Sequence, residues 1–245
     1  MNINVENLQK IIKKATLNYV VPSVQLKVDG RNIISRMRSQ NNTVVICLNI
    51  PNDIISEVPD EIEFNFDEPN VKVKPYLTLI DSEVVDAIIT DDKLTLKNGR
   101  HKTNLHFCMS SFVTTFTGAE PNSPSFYELD LTTEVSECFE KIRKVAGKFE
   151  KVYFTVRDGK FILETTDRTN RFANGISFEL DSIDHNNIDI CFEFKNFNAV
   201  LQCLGGSMSD FTAKFTWIES QNAGMVLFEK NDSSEKYYLL SKLEE

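Results

Sequence analysis

The chain writes one pattern twice. Val24-Gln25-Leu26-Lys27-Val28-Asp29-Gly30 returns 128 residues later as Val152-Tyr153-Phe154-Thr155-Val156-Arg157-Asp158-Gly159. Each copy alternates in the manner of a strand with one buried face and then runs into a turn signal. Each also follows a short amphipathic segment that carries lysines. Farther on, Ile62-Glu63-Phe64-Asn65-Phe66 has the pattern of Ile190-Cys191-Phe192-Glu193-Phe194, at the same spacing. At 245 residues the chain can hold two domains of ordinary size, and the repetition favours two similar ones.

The first half opens with the clearest helix. Over Glu6 to Leu17, the residues Leu8, Ile11, Ile12 and Ala15 share one face, and at about 100° per residue Lys10, Lys13 and Lys14 point the other way. Asn4 suits the N-cap. Alternation predicts strands at 24–28, 32–38, 43–50, 62–66, 83–89, 94–97 and 101–108, with Pro51 closing the third. Asp29-Gly30 and Asn98-Gly99 are turn signals. By position in the repeat, Asn70 to Ile80 should be a second helix bearing Lys72 and Lys74. Pro75 and two valines oppose that reading unless Pro75 is its first helical residue.

Residues 109–126 break the pattern with Ser, Thr, Gly and Pro, as a connecting loop does. Phe112, Val113 and Phe116 require that this loop pack on something. The second half then repeats the order. A strand at 127–131 leads to a helix capped by Thr132 or Thr133 and running to about Lys148, with Val135, Cys138, Phe139, Ile142, Val145 and Ala146 as its apolar stripe. Strands are predicted at 151–157, 160–166, 171–180 and 188–194. A short helix at 196–204 stops at Gly205-Gly206. Strands at 211–217, 225–229 and 236–240 close the chain. Each half thus reads twice as strand, helix, three strands. The fold class is α+β, with domains at 1–108 and 127–245 joined by 109–126, and with helices covering one side of the sheets.

Catalysis finds no support. His101 and His106 are five apart on one predicted strand and so face opposite ways, and His185 stands elsewhere. His106 and Cys108 share a face, but no second pair completes a metal site. The phosphate-loop, dinucleotide, zinc-protease and nucleophile-elbow motifs are absent from the sequence. Neither enzyme activity, cofactor nor metal is expected. Asp91-Asp92 reads as a solvated turn. Five cysteines, an odd number without C-x-x-C spacing, read as buried reduced thiols. No apolar run reaches the roughly 18 residues of a membrane span, and the first residues lack the order of a signal peptide. The expectation is no membrane and a cytosolic or nuclear location.

The net charge of −9 opposes nucleic-acid binding unless charge is segregated by face. Lysines on one side of a lone helix are most simply a solvated surface. Here the second half places Lys141, Arg143, Lys144 and Lys148 away from its apolar stripe as well. Glu137 and Glu140 share that side, spaced for Glu137–Lys141 and Glu140–Lys144 pairs. Bases on equivalent helices of an acidic protein suggest a positive inner surface that holds a duplex by its phosphates, without reading bases.

Two local runs add detail. Lys236-Tyr237-Tyr238-Leu239-Leu240-Ser241-Lys242-Leu243-Glu244-Glu245 is a strand with paired tyrosines and an acidic tail, and Ser35-Arg36-Met37-Arg38-Ser39 sets a methionine mid-strand. With the order of elements, these make the whole chain resemble a DNA sliding clamp of the proliferating-cell-nuclear-antigen type, phage clamps included. The resemblance implies a clamp fold and a ring of three chains around sequence-independent duplex DNA. It implies a tethered DNA polymerase and a separate ATP-dependent loader, since the chain has no nucleotide motif. By that likeness, Lys10, Lys13, Lys14, Lys72, Lys74, Lys141, Arg143, Lys144 and Lys148 would meet DNA. His101, Thr103, Leu105, Phe107, Arg171, Ala173, Gly175 and Ser177 would lie on the edge strands, His101–Cys108 and Arg171–Leu180, that join subunits. Met37, Phe112, Phe116, Tyr238, Leu239 and Leu240 would form a pocket for partner peptides. Leu240-Ser241 departs from the small residue and proline of cellular members. The divergence points to a phage or viral source, hence to the cytoplasm of a bacterial host if phage-encoded, and otherwise to a nucleus or viral replication site. Open readings remain: an open, non-ring viral processivity subunit of the same fold, a ligand-binding α+β protein or enzyme, and an interaction scaffold without DNA.

Overall fold

The computed structural model describes residues 1–241 except 57, 59–60, 122, 146–147, 171, 186–187 and 220–222. Ala146 of the expected stripe, Arg171 of the expected edge and the acidic tail at 242–245 therefore lie outside the described residues. The chain forms two compact units, Met1–Asn41 with Val45–Gly118, and Asn42–Val44 with Ala119–Glu245. The division falls inside the expected connecting loop.

The first unit contains β1 (Asn2–Asn4), α1 (Val5–Ala15), β2 (Ser23–Val28), β3 (Asn32–Arg38), β4 (Val44–Pro51), β5 (Ile55–Ser56), β6 (Ile62–Asp67), α2 (Pro69–Lys72), α3 (Lys74–Leu77), β7 (Val84–Ile89), β8 (Lys93–Asn98) and β9 (His101–His106). Its antiparallel sheets run β5-β1-β7-β8-β9 and β4-β3-β2-β6. Helix α1 begins where the sequence indicates. Asn4 Oδ1 accepts the Asn7 N–H at 2.9 Å, and Val5, Leu8, Ile11, Ile12 and Ala15 are buried. The helix ends two residues before the expected Leu17, because Leu17, Asn18 and Tyr19 are all left-handed. The expected second helix is two short ones broken at Val73, with Pro75 in the first turn of α3, where its missing N–H costs no bond.

Strand β2 pairs with β6 along its whole length but with β3 only at Lys27–Ile34 and Val28–Ile33. The connecting loop enters the resulting split. The Arg38 N–H donates to Thr114 O at 3.2 Å, the Phe116 N–H to Arg36 O at 2.9 Å, and the Thr114 N–H to Ser23 Oγ at 3.2 Å. The first part of the loop is thus stitched into the first unit by backbone bonds that the split strands leave unused.

The second unit contains β10 (Tyr127–Asp130), α4 (Thr133–Arg143), β11 (Lys151–Arg157), β12 (Lys160–Thr165), β13 (Ile176–Ser182), β14 (Ile188–Glu193), α5 (Phe194–Leu204), β15 (Phe211–Ile218), β16 (Ala223–Lys230) and β17 (Glu235–Leu240). Its sheets run β13-β12-β11-β14 and β10-β15-β16-β17. These orders repeat β4-β3-β2-β6 and β1-β7-β8-β9, so the duplication seen in the sequence is a duplication of topology. One correction applies. Val24 lies opposite Phe66, but Val152 lies opposite Phe192, not Phe194. The second repeated motif is therefore offset by two residues, and Phe194 opens α5 instead. A slip of two keeps every side chain on its face, which is why the pattern still matched.

Aromatic rings fill this unit's core. Phe139 of α4 meets Phe197 of α5 at 5.4 Å between centroids, and Phe154 of β11 meets Phe197 at 5.7 Å and Phe215 of β15 at 4.8 Å. Both helices are thereby seated on the sheets by edge-to-face and tilted contacts. Two further boundaries differ from expectation. Helix α4 ends at Arg143, tightening into i→i+3 bonds from Val145 to Ile142 and from Lys148 to Val145. Strand β13 starts at Ile176, because Asp167 and Asn170 bond the N–H groups of Thr169 and Phe172 and hold turns there. Of the five free cysteines, only Cys47 and Cys203 are fully buried; Cys108, Cys138 and Cys191 are half-buried. No described helix is long and apolar enough to cross a membrane.

Candidate nucleic-acid interface

Burial of one stripe forces the bases of each helix outward. On α1, Lys10 is exposed and sits 2.7 Å from Glu6, whose hydrogen bond raises the lysine pKa. Lys13 and Lys14 are half-exposed in the last turn, where the helix dipole favours cations. Lys72 is held by Asp67 at 2.6 Å and Glu68 at 2.9 Å, and these bonds raise its pKa well above the usual lysine value. The Lys74 ammonium lies 5.2 Å over the Tyr19 ring, tying α3 to the segment after α1.

In the second unit, Lys141 pairs with Glu137 at 3.8 Å, as its spacing indicates. Glu140 does not take Lys144; it bonds Arg143, one residue nearer in sequence. Lys144 is exposed and has no carboxylate partner among the described residues. Lys148 lies beyond α4, where it lines a cavity of about 400 Å³ with Lys151, Tyr153, Thr166, Arg168 and Thr169. Sequence reasoning missed Lys195. It is exposed in the first turn of α5, 3.5 Å from Glu193. Its signal was the apolar spacing of Phe194 and Phe197, which starts that helix two residues before the expected 196.

Lys10, Lys72, Lys141, Arg143 and Lys195 are thus already shared with a nearby carboxylate. Exposed pairs of this kind are weak in water, so a phosphate oxygen can replace the carboxylate at little cost. The arrangement is suited to loose, exchangeable contact with a polyanion.

The expected edge residues divide. β9 and β13 each end a sheet. His101 and Ser177 are exposed, whereas Thr103 and Leu105 are buried. Phe107 is not an edge residue: its ring packs on Phe64 at 5.6 Å and Phe66 at 5.5 Å. Ala173 and Gly175 precede β13, and a Cβ on Gly175 would stand 2.8 Å from that of Thr166.

The expected pocket residues also divide. In the first unit Met37 is fully buried, Phe112 is 62% exposed, and Phe116 lies under the Arg36 guanidinium at 5.2 Å. In the second, Tyr238 and Leu239 are buried and Leu240 is half-buried. The Tyr238 hydroxyl donates to Glu120 Oε2 at 3.0 Å, and Lys236 Nζ donates to the same oxygen at 2.9 Å. Between Glu120, Pro121, Ser123, Pro124 and Ser125 on one side and β15, β16 and β17 on the other lies a cavity of about 550 Å³. Met225 and Leu227 supply its apolar part, and Lys214, Glu229 and Lys236 its charges. Among the described residues, no group of three His, Cys, Asp or Glu side chains is placed to hold a metal.

No protein-family model and no curated protein matches the chain. Solved structures do. The chain is similar to PCNA from A. fulgidus, solved with the C-terminal region of FEN-1, at 16% identity and a TM-score of 0.66, covering 100% of this chain and 98% of that one. It is similar to the Proliferating Cellular Nuclear Antigen of Entamoeba histolytica at 12% identity and a TM-score of 0.66, covering 99% and 98%. The DNA polymerase III beta chain of Streptococcus pneumoniae matches at 12% identity and a TM-score of 0.64, with 100% of this chain laid on 65% of that one. The chain has the fold of these proteins.

Proposed function

We propose that this chain is a sliding clamp: a non-enzymatic processivity factor that encircles duplex DNA and tethers a DNA polymerase to it. The observation that carries the reading is the duplicated unit. Two copies of one topology, each with helices that turn bases outward, follow one another in a chain that covers 98% of the length of two PCNA chains. Two units per chain favour a trimer, since three copies supply six units. The pairing of bases with their own carboxylates suits sliding. At the shared bases each phosphate contact displaces a nearby carboxylate, which keeps those contacts weak and exchangeable. Closure around the duplex then has to supply the retention that affinity does not.

The cavity over Met225 and Leu227 is our choice for the partner-peptide site, with Phe112 as a separate exposed side chain of the first unit. The likeness to a clamp solved with a bound C-terminal region supports a peptide partner. A tethered polymerase gains effective concentration at the primer end. Opening the ring falls to a separate ATP-dependent loader. Low identity to the archaeal, eukaryotic and bacterial clamps alike supports a phage or viral source, acting in a bacterial cytoplasm or a viral replication site.

The test is to replace Lys10, Lys13 and Lys14 together by alanine and measure synthesis on primed circular DNA at moderate salt. Shorter products with unchanged self-association support the reading. Unchanged product length counts against the helix faces as the DNA surface.

A further inference from the structure

A block of free positive charge lies on a sheet rather than on a helix. Residues 93–106, the β8–β9 hairpin, hold Lys93, Lys97, Arg100 and Lys102 with two histidines and no acidic residue, in a chain where 36 acids outnumber 27 bases. The ladders gather these bases on one face. Val85, Ala87, Leu94, Leu96, Thr103 and Leu105 are buried, so the alternate residues point outward. Across β7, β8 and β9 one outward row reads Asp86, Lys97, Lys102 and the next Ile88, Thr95, Asn104. Thr95 Oγ1 donates to Asn104 Oδ1 at 2.9 Å and fixes that second row. Asn98 pairs with His101 and closes a tight turn through Arg100 and Gly99, whose φ of 57° glycine takes without strain. Asn98 Nδ2 also donates to Ser82 Oγ at 2.9 Å, which anchors the turn.

Lys97 and Lys102 therefore stand directly opposite one another, with Cβ atoms about 5 Å apart, and Arg100 sits in the turn that joins their strands. All three are exposed, and among the described residues none of them is in an ion pair. Asp86 flanks Lys97 without pairing to it, so the tip carries a local charge of +2, three bases against one carboxylate. Lys10 on α1, by contrast, already has Glu6 at 2.7 Å. At the far end of the hairpin Lys93 is paired with Asp92 at 3.5 Å, so the free charge is concentrated at the turn. Like charges set opposite one another on a sheet repel. An anion between Lys97 and Lys102 relieves that repulsion.

We propose that the tip of the β8–β9 hairpin is a second contact site for duplex DNA, made by Lys97, Arg100 and Lys102 on backbone phosphates. It goes beyond the helix faces and needs no closed ring. Protein–protein interfaces centre on apolar or aromatic side chains and are poor in lysine, whereas protein–DNA interfaces are polar and strongly basic. The exposed aliphatic side chains of this face, Val84 and Ile88, lie on β7 on either side of Asp86 and not among the three bases. The face has no exposed aromatic ring on which an unpaired base could stack, which favours duplex over single strand. Contacts to phosphates alone position a duplex without reading its sequence.

The test is fluorescence anisotropy of the full chain with a labelled linear duplex. One variant replaces Lys97, Arg100 and Lys102 by alanine. A control replaces Lys27, Arg31 and Lys160, equally exposed bases elsewhere. Each lost phosphate contact flattens log K against log salt by about 0.9, so three flatten it by about 2.7. Between 50 and 200 mM salt the unaltered chain should then lose roughly 40-fold more affinity than the hairpin variant. The control should keep the parent slope, and circular dichroism confirms that each variant is folded. Adding the hairpin changes to the Lys10, Lys13 and Lys14 alanine variant should flatten its slope further. A hairpin variant with the parent slope would overturn the site while leaving the helix faces and the ring untouched. A control that flattens the slope equally would show only an effect of net charge and would overturn it too. So would tight binding of labelled polyglutamate, lost in the hairpin variant, beside duplex binding that the variant leaves unchanged, since the tip would then belong to an acidic protein.

Discussion

Replacing Glu6 by glutamine should strengthen DNA binding, the opposite of what loss of a helix ion pair does to most surfaces. Glu6 Oε1 lies 2.7 Å from Lys10 Nζ, with the two side chains 62% and 61% exposed. The outer side of α1 carries Lys10, Lys13 and Lys14 against this one carboxylate, so the substitution takes its local charge from +2 to +3. If the freed ammonium takes up one more phosphate, log K against log salt steepens by about 0.9. Over a fourfold change in salt that amounts to roughly a 3.5-fold larger change in affinity. Fluorescence anisotropy with a labelled duplex across 50–200 mM salt, the range in which such slopes are commonly read, resolves about this difference. Tighter binding at low salt with a steeper slope is the expected result. Unchanged or weaker binding, with the helix intact by circular dichroism, would show that α1 does not face the phosphates.

Three further outcomes test the packing. Phe154 is fully buried and has the rings of Phe139, Phe161, Phe192, Phe197 and Phe215 around it, so Phe154→Ala should cost about 3–5 kcal/mol in urea unfolding; a loss under 1 kcal/mol would contradict the aromatic core. A Cβ on Gly224 would stand 2.3 Å from Ile190 Cγ2, so Gly224→Ala should destabilise by about 1–3 kcal/mol, and a neutral result would refute the close approach of β16 to β14. Tyr127→Phe should flatten the dependence of Tm on pH at both ends. The hydrogen bond from Tyr127 depresses the Asp181 pKa, so its contribution is full above the ordinary aspartate value near 4 and is lost as pH falls through the folded value. Burial, then the bond to Asp181, raises the Tyr127 pKa, so that contribution is full below about 10 and is lost as pH rises through the folded value. A Tm profile identical to that of the parent chain would contradict the pair.

Much of the fold was legible because alternation and helical spacing report burial directly. The β11 bounds, the Asn4 cap of α1 and the Asn98-Gly99 turn stand where the residues indicate. Strands β1 and β5 were not legible, since three and two residues cannot display a period. Nor was the β2–β3 split, which depends on a loop more than 70 residues away. The candidate interface was half legible. The outward faces of α1 and α4 follow from their apolar stripes. Which base pairs with which carboxylate does not, because Asp67 and Glu68 reach Lys72 from the end of β6, and Glu140 has two bases within reach and takes the nearer in sequence. Tyr237 and Tyr238 show the same limit. Adjacent on β17, they face opposite ways, one into the core and one toward Glu120, and only the partner lying on each side separates their roles.

The most direct measurement is topological. The protein is placed on a nicked circular duplex, by its loader or by spontaneous opening, and isolated by gel filtration. The plasmid is then cut once. A ring held by enclosure stays on the circle in salt that abolishes binding to short duplexes and leaves within minutes of the cut. Protein retained equally on cut and uncut DNA, or lost from both at moderate salt, would contradict the claim that it encloses the double helix.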